Sequence, residues 1–339
     1  MNSSLFEKIA VLGAGSWGMA VSQILSDNGA SVHLWEYDQK TYRKLIDDRR
    51  QDDKLPGFRI PDKIEITNLL SEAVAGASLI VLAVPAQFLQ ATLINAVESI
   101  SEGAVVVNLA KGIENKTLKR MSEVINEVLA EKSISVFTLS GPSHAEEVVK
   151  RMPTAVVLAG NDSRRIEQLQ ELFSNSYFRV YKSSDLIGVE LGGALKNVIA
   201  ISAGISAGLG LGDNTLGALV TRGLAEITRL GTALGARSET FAGLSGVGDI
   251  VTTCASRHSR NRLVGERIGR GEKLDEILAS MTMIAEGVET TRAGYDLARL
   301  HEVEMPITKE VYKVLFENKS PGEAVWELMG RELKAEIWR

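Results

Sequence analysis

Near the N-terminus the chain reads Ile9-Ala10-Val11-Leu12-Gly13-Ala14-Gly15-Ser16-Trp17-Gly18, and the architecture follows from these ten residues. Four apolar residues read as a short buried strand. The G-x-G-x-x-G directly after them turns the chain into a helix ending near Asp27-Asn28-Gly29. Gly13, Gly15 and Gly18 permit a tight turn and a close backbone approach to a pyrophosphate. The free N–H groups of the new helix, with Ser16 and Trp17 at its start, stabilise phosphate charge. A second strand, Ser31 to Glu36, follows, and Glu36 lies 18 residues past the last glycine. An acid at that strand end accepts hydrogen bonds from adenosine ribose hydroxyls and repels a 2′-phosphate. The stretch therefore reads as a dinucleotide site that takes NAD(P), with NAD favoured and Tyr37 beside the adenine ribose. The alternative for Glu36 is a surface glutamate in a strand-end turn.

Outward from this motif, apolar runs alternate with helical patterns: Leu79 to Val84, Ala104 to Leu109, Ser135 to Ser140 and Ala155 to Ala159. Several lack polar alternates, as strands covered by helices on both faces do. The expectation is a central, parallel, doubly wound sheet of the Rossmann type. After about Asp185 strand runs cease and apolar residues recur at helical spacing, for instance Leu224, Ile227, Leu230 and Leu234. The predicted division is an α/β dinucleotide-binding domain over 1–185 and an all-helical substrate-binding and catalytic domain over 186–339. Ser183-Ser184-Asp185 marks the boundary and offers a cap for the first helix. The charge-dense run Asp47 to Lys54 reads as a solvated connection or a mobile lid, and no function attaches to it.

A length of 339 residues suits about two domains at roughly 150 residues each. The net charge of −5 argues against a nucleic-acid or acidic-membrane surface. Cys254 is the only cysteine, so no intrachain disulfide forms and a reducing cytoplasm is expected. The stretch Met1 to Lys8 is too short of apolar residues for a signal peptide. Uncharged stretches at Ala73 to Val97 and Asn197 to Gly212 read as a buried strand with its helix and as a buried helix with its connection, so no stable membrane insertion is expected. His33, His144, His258 and His301 lack metal-ligand spacing and no metal is expected. No G-x-S-x-G elbow supports a hydrolase triad around His144.

In a parallel sheet the ligand lies outside the carboxyl ends of the strands. Lys111 follows one such end and places an ammonium beside the expected nicotinamide, or is a surface lysine. Ser140-Gly141-Pro142-Ser143 ends another, and Ser143 with Glu146 forms S-x-x-E, a capping box compatible with ligand contact. Lys196 lies in Gly192-Gly193-Ala194-Leu195-Lys196-Asn197, with Gly192, Gly193, Ile199 and Ala200 as its helical neighbours. On that apolar face desolvation lowers a lysine pKa and suits it to proton transfer, unless the side chain snorkels outward. Asn197 could orient substrate oxygens. Gly246-Val247-Gly248-Asp249 precedes Thr252, Thr253 and a cluster of five arginines between Arg257 and Arg270. With Ser and Asn donors that cluster suits a phosphate monoester, or is a basic solvated helix face.

With these residues assembled, the sequence resembles the bacterial NAD(P)-dependent glycerol-3-phosphate dehydrogenase family across essentially the whole chain. The likeness rests on Val11 to Gly18, Ala110 to Gly112, Ser140 to Glu147, Gly192 to Asn197, Thr221 to Glu226, Gly246 to Asp249 and His258 to Arg262. It implies reversible reduction of dihydroxyacetone phosphate to sn-glycerol 3-phosphate, which feeds glycerophospholipid synthesis, by a cytoplasmic homodimer. By the same resemblance Lys196 is the proton donor and acceptor. Gly141, Ser143, Asp249, Ser259, Arg260 and Asn261 are substrate-binding positions, and Thr253 joins them here. Ser16, Trp17, Tyr37, Ala145, Arg260, Ile284 and Glu286 meet the cofactor, and Lys111 lies between cofactor and substrate. Family members that accept NADPH often carry a small residue at position 36 followed by His or Arg, and Glu36-Tyr37 departs from that pattern. Another phosphorylated or carboxylated hydroxy substrate, or a catalytically silent nicotinamide sensor, are the other readings.

Overall fold

A computed structural model describes residues 6–336. Residues 1–5, at the start of the Met1 to Lys8 stretch, and 337–339, at the end of the expected helical domain, lie outside the described residues. Eight strands, β1 (Ile9–Leu12), β2 (Val32–Trp35), β3 (Glu65–Thr67), β4 (Leu79–Leu82), β5 (Val105–Asn108), β6 (Ser135–Ser140), β7 (Thr154–Ala159) and β8 (Phe178–Ser183), form one sheet. Their order is β3-β2-β1-β4-β5-β6-β7-β8. Ile9 pairs in parallel with Val32 on one side and Leu79 on the other. The strand order reverses between β1 and β4, and a crevice opens at such a switch point.

The two faces of β1 explain its uninterrupted apolar run. Ile9 and Val11 pack in one layer with Met19 and Ile24 of the helix Ser16–Asp27. Ala10 and Leu12 pack in the other with Leu89 and Leu93 of the helix Ala86–Ala96. Side chains alternate across a strand, so a sheet covered on both faces needs apolar residues at every position.

The expectation of a wholly parallel sheet fails at β7, which runs antiparallel to β6 with Thr138 opposite Ala159. Only the single-turn helix Ala145–Val148 lies between them, whereas a parallel return needs a full crossover. β8 is again parallel to β7, with the helix Ser163–Phe173 between them. β3 and β8 are not among the strand runs read from the sequence. β3 has three residues, and the edge strand β8 alternates buried Phe178 and Val180 with exposed Arg179 and Tyr181.

From Leu186 onward the described residues form helices and connections. Asp185 caps the helix Leu186–Gly208 by accepting a hydrogen bond from the Gly188 N–H, the role its position suggested. This helix is long and apolar enough to cross a membrane, yet it is buried inside the helical half. It touches the helix Arg260–Gly269 backbone to backbone. A Cβ on Gly204 would lie 2.0 Å from the Arg262 carbonyl oxygen, and one on Gly265 2.0 Å from that of Ile201. This close crossing brings the segment with Lys196 and Asn197 against the one that begins at Ser259.

Two buried acids tie the long helices to their surroundings. Glu226, which ends the Thr221 to Glu226 motif, accepts from the N–H groups of Ile307 and Thr308 at the start of the helix Pro306–Phe316. Glu190 accepts from Arg120 Nη1 at 2.7 Å, Ser122 N–H at 2.8 Å and Ser122 Oγ at 2.6 Å. Burial pushes the Glu190 carboxyl up and the Arg120 charge opposes this. Arg120→Met strands a buried acid and is expected to cost about 3–5 kcal/mol, read as a lower urea midpoint. Arg120→Met with Glu190→Gln should recover much of that loss.

Candidate active site

A cleft of about 730 Å³ is lined from both halves of the chain, by the glycine turn, Glu36, Tyr37 and Lys111 on one side and Lys196, Asn197, Thr253, Ser259, Arg260 and Asn261 on the other. The glycines of the turn have different tasks. Gly13 has φ +113°, and a Cβ on Gly18 would lie 1.9 Å from the Gly13 carbonyl oxygen, so both are demanded by the protein itself. A Cβ on Gly15 would meet no protein atom within 4 Å, although Gly15 lines the cleft and precedes the first helical residue. Gly15 thus leaves open space at a helix N-terminus, where a phosphate finds N–H donors and a favourable dipole. Trp17 flanks this turn in the cleft wall, and its ring lies 6.3 Å from that of Phe178.

Glu36 is 5% exposed, so the surface-glutamate alternative does not hold. Its Oε1 accepts from the Asp38 N–H at 2.9 Å, and its Oε2 lies 3.8 Å from Lys54 Nζ. Tyr37 is 79% exposed at the rim.

At the other end of the cleft four side chains form one network. Asp249, at the start of the helix Asp249–Ala255, is buried and accepts from Lys111 Nζ at 2.6 Å through Oδ2. Its Oδ1 lies 3.1 Å from Lys196 Nζ and accepts from Thr253 Oγ1 at 3.2 Å. Lys196 also donates to Thr253 Oγ1 at 2.7 Å, and it is buried rather than snorkelling outward. Burial lowers the Lys196 pKa to about 8; Asp249 raises it in part and Lys111 lowers it further. Burial alone would raise the Asp249 carboxyl, but the Lys111 and Lys196 charges hold it below the usual carboxylate range. Lys111 is accordingly no surface lysine, and it also donates to the Gly141 carbonyl at 2.9 Å.

Asn197 donates to the Lys111 carbonyl at 3.1 Å and accepts from Asn261 at 2.8 Å. Asn261 Oδ1 in turn accepts from the Gly287 N–H at 2.9 Å. A side-chain amide has two donor hydrogens and two acceptor lone pairs, so Asn197 keeps capacity for a ligand. Ser259 caps the helix Arg260–Gly269 by accepting from the Arg262 N–H. The arginine cluster divides: Arg262, Arg267 and Arg270 pair with Glu266 or Glu272, while Arg260 lines the cleft and donates to the Ile284 carbonyl at 2.9 Å. Most of that charge is thus a helix face.

The capping box expected at Ser143 is absent. The helix Ala145–Val148 has His144 at its cap position, and Ser143 Oγ donates to the Gly141 carbonyl at 2.9 Å instead. Ala145 is buried in the cleft wall. Glu286 accepts from the Ala86 N–H at 3.1 Å, joining the two halves at the rim beside half-exposed Ile284. Lys54, Met283 and His144 are among the cleft residues to which the sequence assigns no role. Burial lowers the His144 pKa, helped by the Lys196 charge, and its Nε2 is buried without a protein partner. No sequence spacing signals these three, because each reaches the cleft from a connection. Among the described residues no group of three His, Cys, Asp or Glu side chains is placed to hold a metal ion.

The family model described as NAD-dependent glycerol-3-phosphate dehydrogenase N-terminus matches residues 8–166, and its C-terminus counterpart matches 185–326. A glycerol-3-phosphate dehydrogenase [NAD(P)+] from Citrifermentans bemidjiense is 50% identical over 331 residues, covering 97% of this chain and 99% of the relative. The protein of the same description from a Thermoanaerobacter species is 51% identical over 330 residues, again 97% of this chain and 99% of the relative. The crystal structure of glycerol-3-phosphate dehydrogenase from Coxiella burnetii superposes with a TM-score of 0.93 at 37% identity, covering 96% of this chain and 99% of that one.

Proposed function

Because the chain belongs to the NAD-dependent glycerol-3-phosphate dehydrogenase family, we propose that the cleft between its halves is the active site and that Lys196 is its proton donor. The protein is an NAD(P)-dependent oxidoreductase that interconverts dihydroxyacetone phosphate and sn-glycerol 3-phosphate, a glycerophospholipid precursor. The observation that carries the assignment of roles is a buried lysine with pKa about 8, held by Asp249 and Thr253 in a cleft that also contains a phosphate-binding turn.

The open space at Gly15 and the acid at the end of β2 fit a dinucleotide, which Gly13, Gly15, Ser16, Trp17, Gly18, Glu36, Tyr37, Ala145, Ile284 and Glu286 would hold. When bound, the reduced nicotinamide supplies the hydride that C2 of the substrate accepts. Ser259, Arg260 and Asn261, at the start of a helix, anchor the substrate phosphate, and Gly141 and Ser143 contribute polar contacts beside it. That anchor fixes C2 without touching the reacting atoms. Protonated Lys196 donates a hydrogen bond to the carbonyl oxygen and passes its proton there as negative charge develops; in the reverse direction its neutral amine removes the hydroxyl proton. Thr253 and Asp249 orient the ammonium, Lys111 adds positive charge, and Asn197 holds the Lys111 backbone while presenting its remaining amide capacity.

Division into domains 1–185 and 186–339 is supported by the strand content of the first and the helical content of the second. Glu36 supports NAD as the favoured cofactor. Family membership supports a homodimer, and the buried, unpaired Cys254 supports a cytoplasmic location. Oxidation of NADH and of NADPH by the purified protein with dihydroxyacetone phosphate tests this function. Turnover is expected with both and faster with NADH; measurable cofactor binding with no turnover would sink it.

Gly15→Ala separates cofactor binding from folding. Its stability is expected to stay within about 1 kcal/mol of the parent, since no protein atom is met. Its NADH affinity is expected to fall at least about tenfold, measured by fluorescence titration, because the methyl group occupies the backbone approach.

A further inference from the structure

Lys54 ends the charge-dense run to which the sequence attached no function, and the fold places it at two parts of the dinucleotide site together. Its backbone carbonyl accepts from Ser16 Oγ at 2.7 Å, on the first residue after the glycine turn's cap. Its ammonium lies 3.8 Å from Glu36 Oε2. Glu36 Oε1 accepts from the Asp38 N–H, and Oε2, the oxygen beside Lys54, accepts no hydrogen bond from another of the described residues. The residue is held in place rather than loose. Lys54 and Leu55 N–H groups both donate to the Gln51 carbonyl, and Leu55 is buried among the core residues behind the turn. Both Lys54 and Glu36 line the cleft.

We propose that Lys54 is a specificity-determining residue for the adenosine 2′ position, offsetting Glu36 and supplying the cation that lets the site accept a 2′-phosphate. The proposal rests on the dinucleotide assignment above and concerns which dinucleotides that site admits. Glu36 alone would oppose a 2′-phosphate through like charge. An ammonium 3.8 Å from Glu36 Oε2 offsets that carboxylate's charge. Lysine is a compact charge on a flexible stem, so the same group can stay with Glu36 when a ribose hydroxyl is present and turn to phosphate oxygens when they replace it. Asp38 and Lys40 are charged groups nearby: the Asp38 carboxyl is held low mainly by the Thr41 backbone N–H, with smaller contributions from Lys54 and Lys40.

Equilibrium binding of adenosine 2′,5′-bisphosphate and of 5′-AMP to the full chain by calorimetry tests this without turnover. Lys54→Met is expected to weaken the bisphosphate relative to AMP by about tenfold or more, whereas Lys54→Arg keeps the ratio within about threefold. Glu36→Gln should move the ratio about tenfold the other way. The NADPH-to-NADH ratio of kcat/KM should follow in each variant. A ratio unmoved within about twofold in Lys54→Met, with both probes still bound, overturns the role of Lys54 and leaves the dinucleotide site intact. Failure of both probes to bind the unsubstituted protein overturns the site assignment and Lys54 with it.

Discussion

Lys196→Ala is expected to lower kcat for dihydroxyacetone phosphate reduction by about 10²–10⁴-fold, with a smaller change in the KM for NADH. Lys196 is the cleft's one lysine whose ammonium is both buried and hydrogen-bonded to a hydroxyl, Thr253 Oγ1, as well as close to Asp249. With a pKa of about 8 it is mostly protonated at neutral pH and still able to release the proton. Reduction consumes the protonated form, so its rate should fall as pH rises through about 8. Oxidation needs the neutral amine, so its rate should rise across the same range. Lys196→Arg keeps the charge but holds its proton far too tightly, and it should not restore turnover. Rate profiles of both directions against pH check the assignment; a Lys196→Ala protein retaining the midpoint near 8 would assign that midpoint to another group.

Asp249→Asn is expected to produce the second large loss, about 10²–10³-fold in kcat at pH 7, by a different route. The carboxylate lies between two ammonium groups, Lys111 at 2.6 Å and Lys196 at 3.1 Å. Neutralising it leaves two cations in a desolvated cleft. The easier adjustment is for one to lose its proton, and Lys196 already has the lowered pKa. The reductive pH midpoint should therefore move at least about one unit below that of the parent, a shift that simple loss of folded protein would not produce. A stability loss of about 3–5 kcal/mol in urea should accompany it. The sign of the carboxylate's own linkage is clear: its folded pKa lies below 3.8, so its stabilisation is complete at neutral pH and is lost only as pH falls through that lower value. An unshifted midpoint in Asp249→Asn would show that the acid does not act through Lys196.

Legibility of the site varied with the origin of each signal. The glycine turn and the acid at the end of β2 are legible because a strand, a turn and a helix within one short segment have a fixed spacing. Lys196 was legible because a cation on an apolar, glycine-thinned helical face has few structural explanations. Ser143 was misread, since S-x-x-E describes a helix cap only where a helix begins at the right residue, and here His144 takes the cap position. Of the two readings of the arginine cluster, phosphate site and helix face, each holds for part of it: Arg260 lines the cleft while Arg262, Arg267 and Arg270 pair with Glu266 or Glu272, which charge counted along the chain does not reveal.

The order of residues along the chain settles the two-part architecture, the strand–glycine turn–helix unit, the family and the burial of a lysine on an apolar helix face. These rest on hydrogen-bonding periods and turn geometry, which act over a few residues and are written in their order. That Asp249 joins Lys111 to Lys196, that β7 reverses direction and that Lys54 meets both Ser16 and Glu36 emerges in the folded chain alone. Each depends on distances between segments remote in sequence. Those distances are set by packing, such as the contact at Gly204 and Gly265, and an electrostatic interaction depends on separation in space and on exclusion of water.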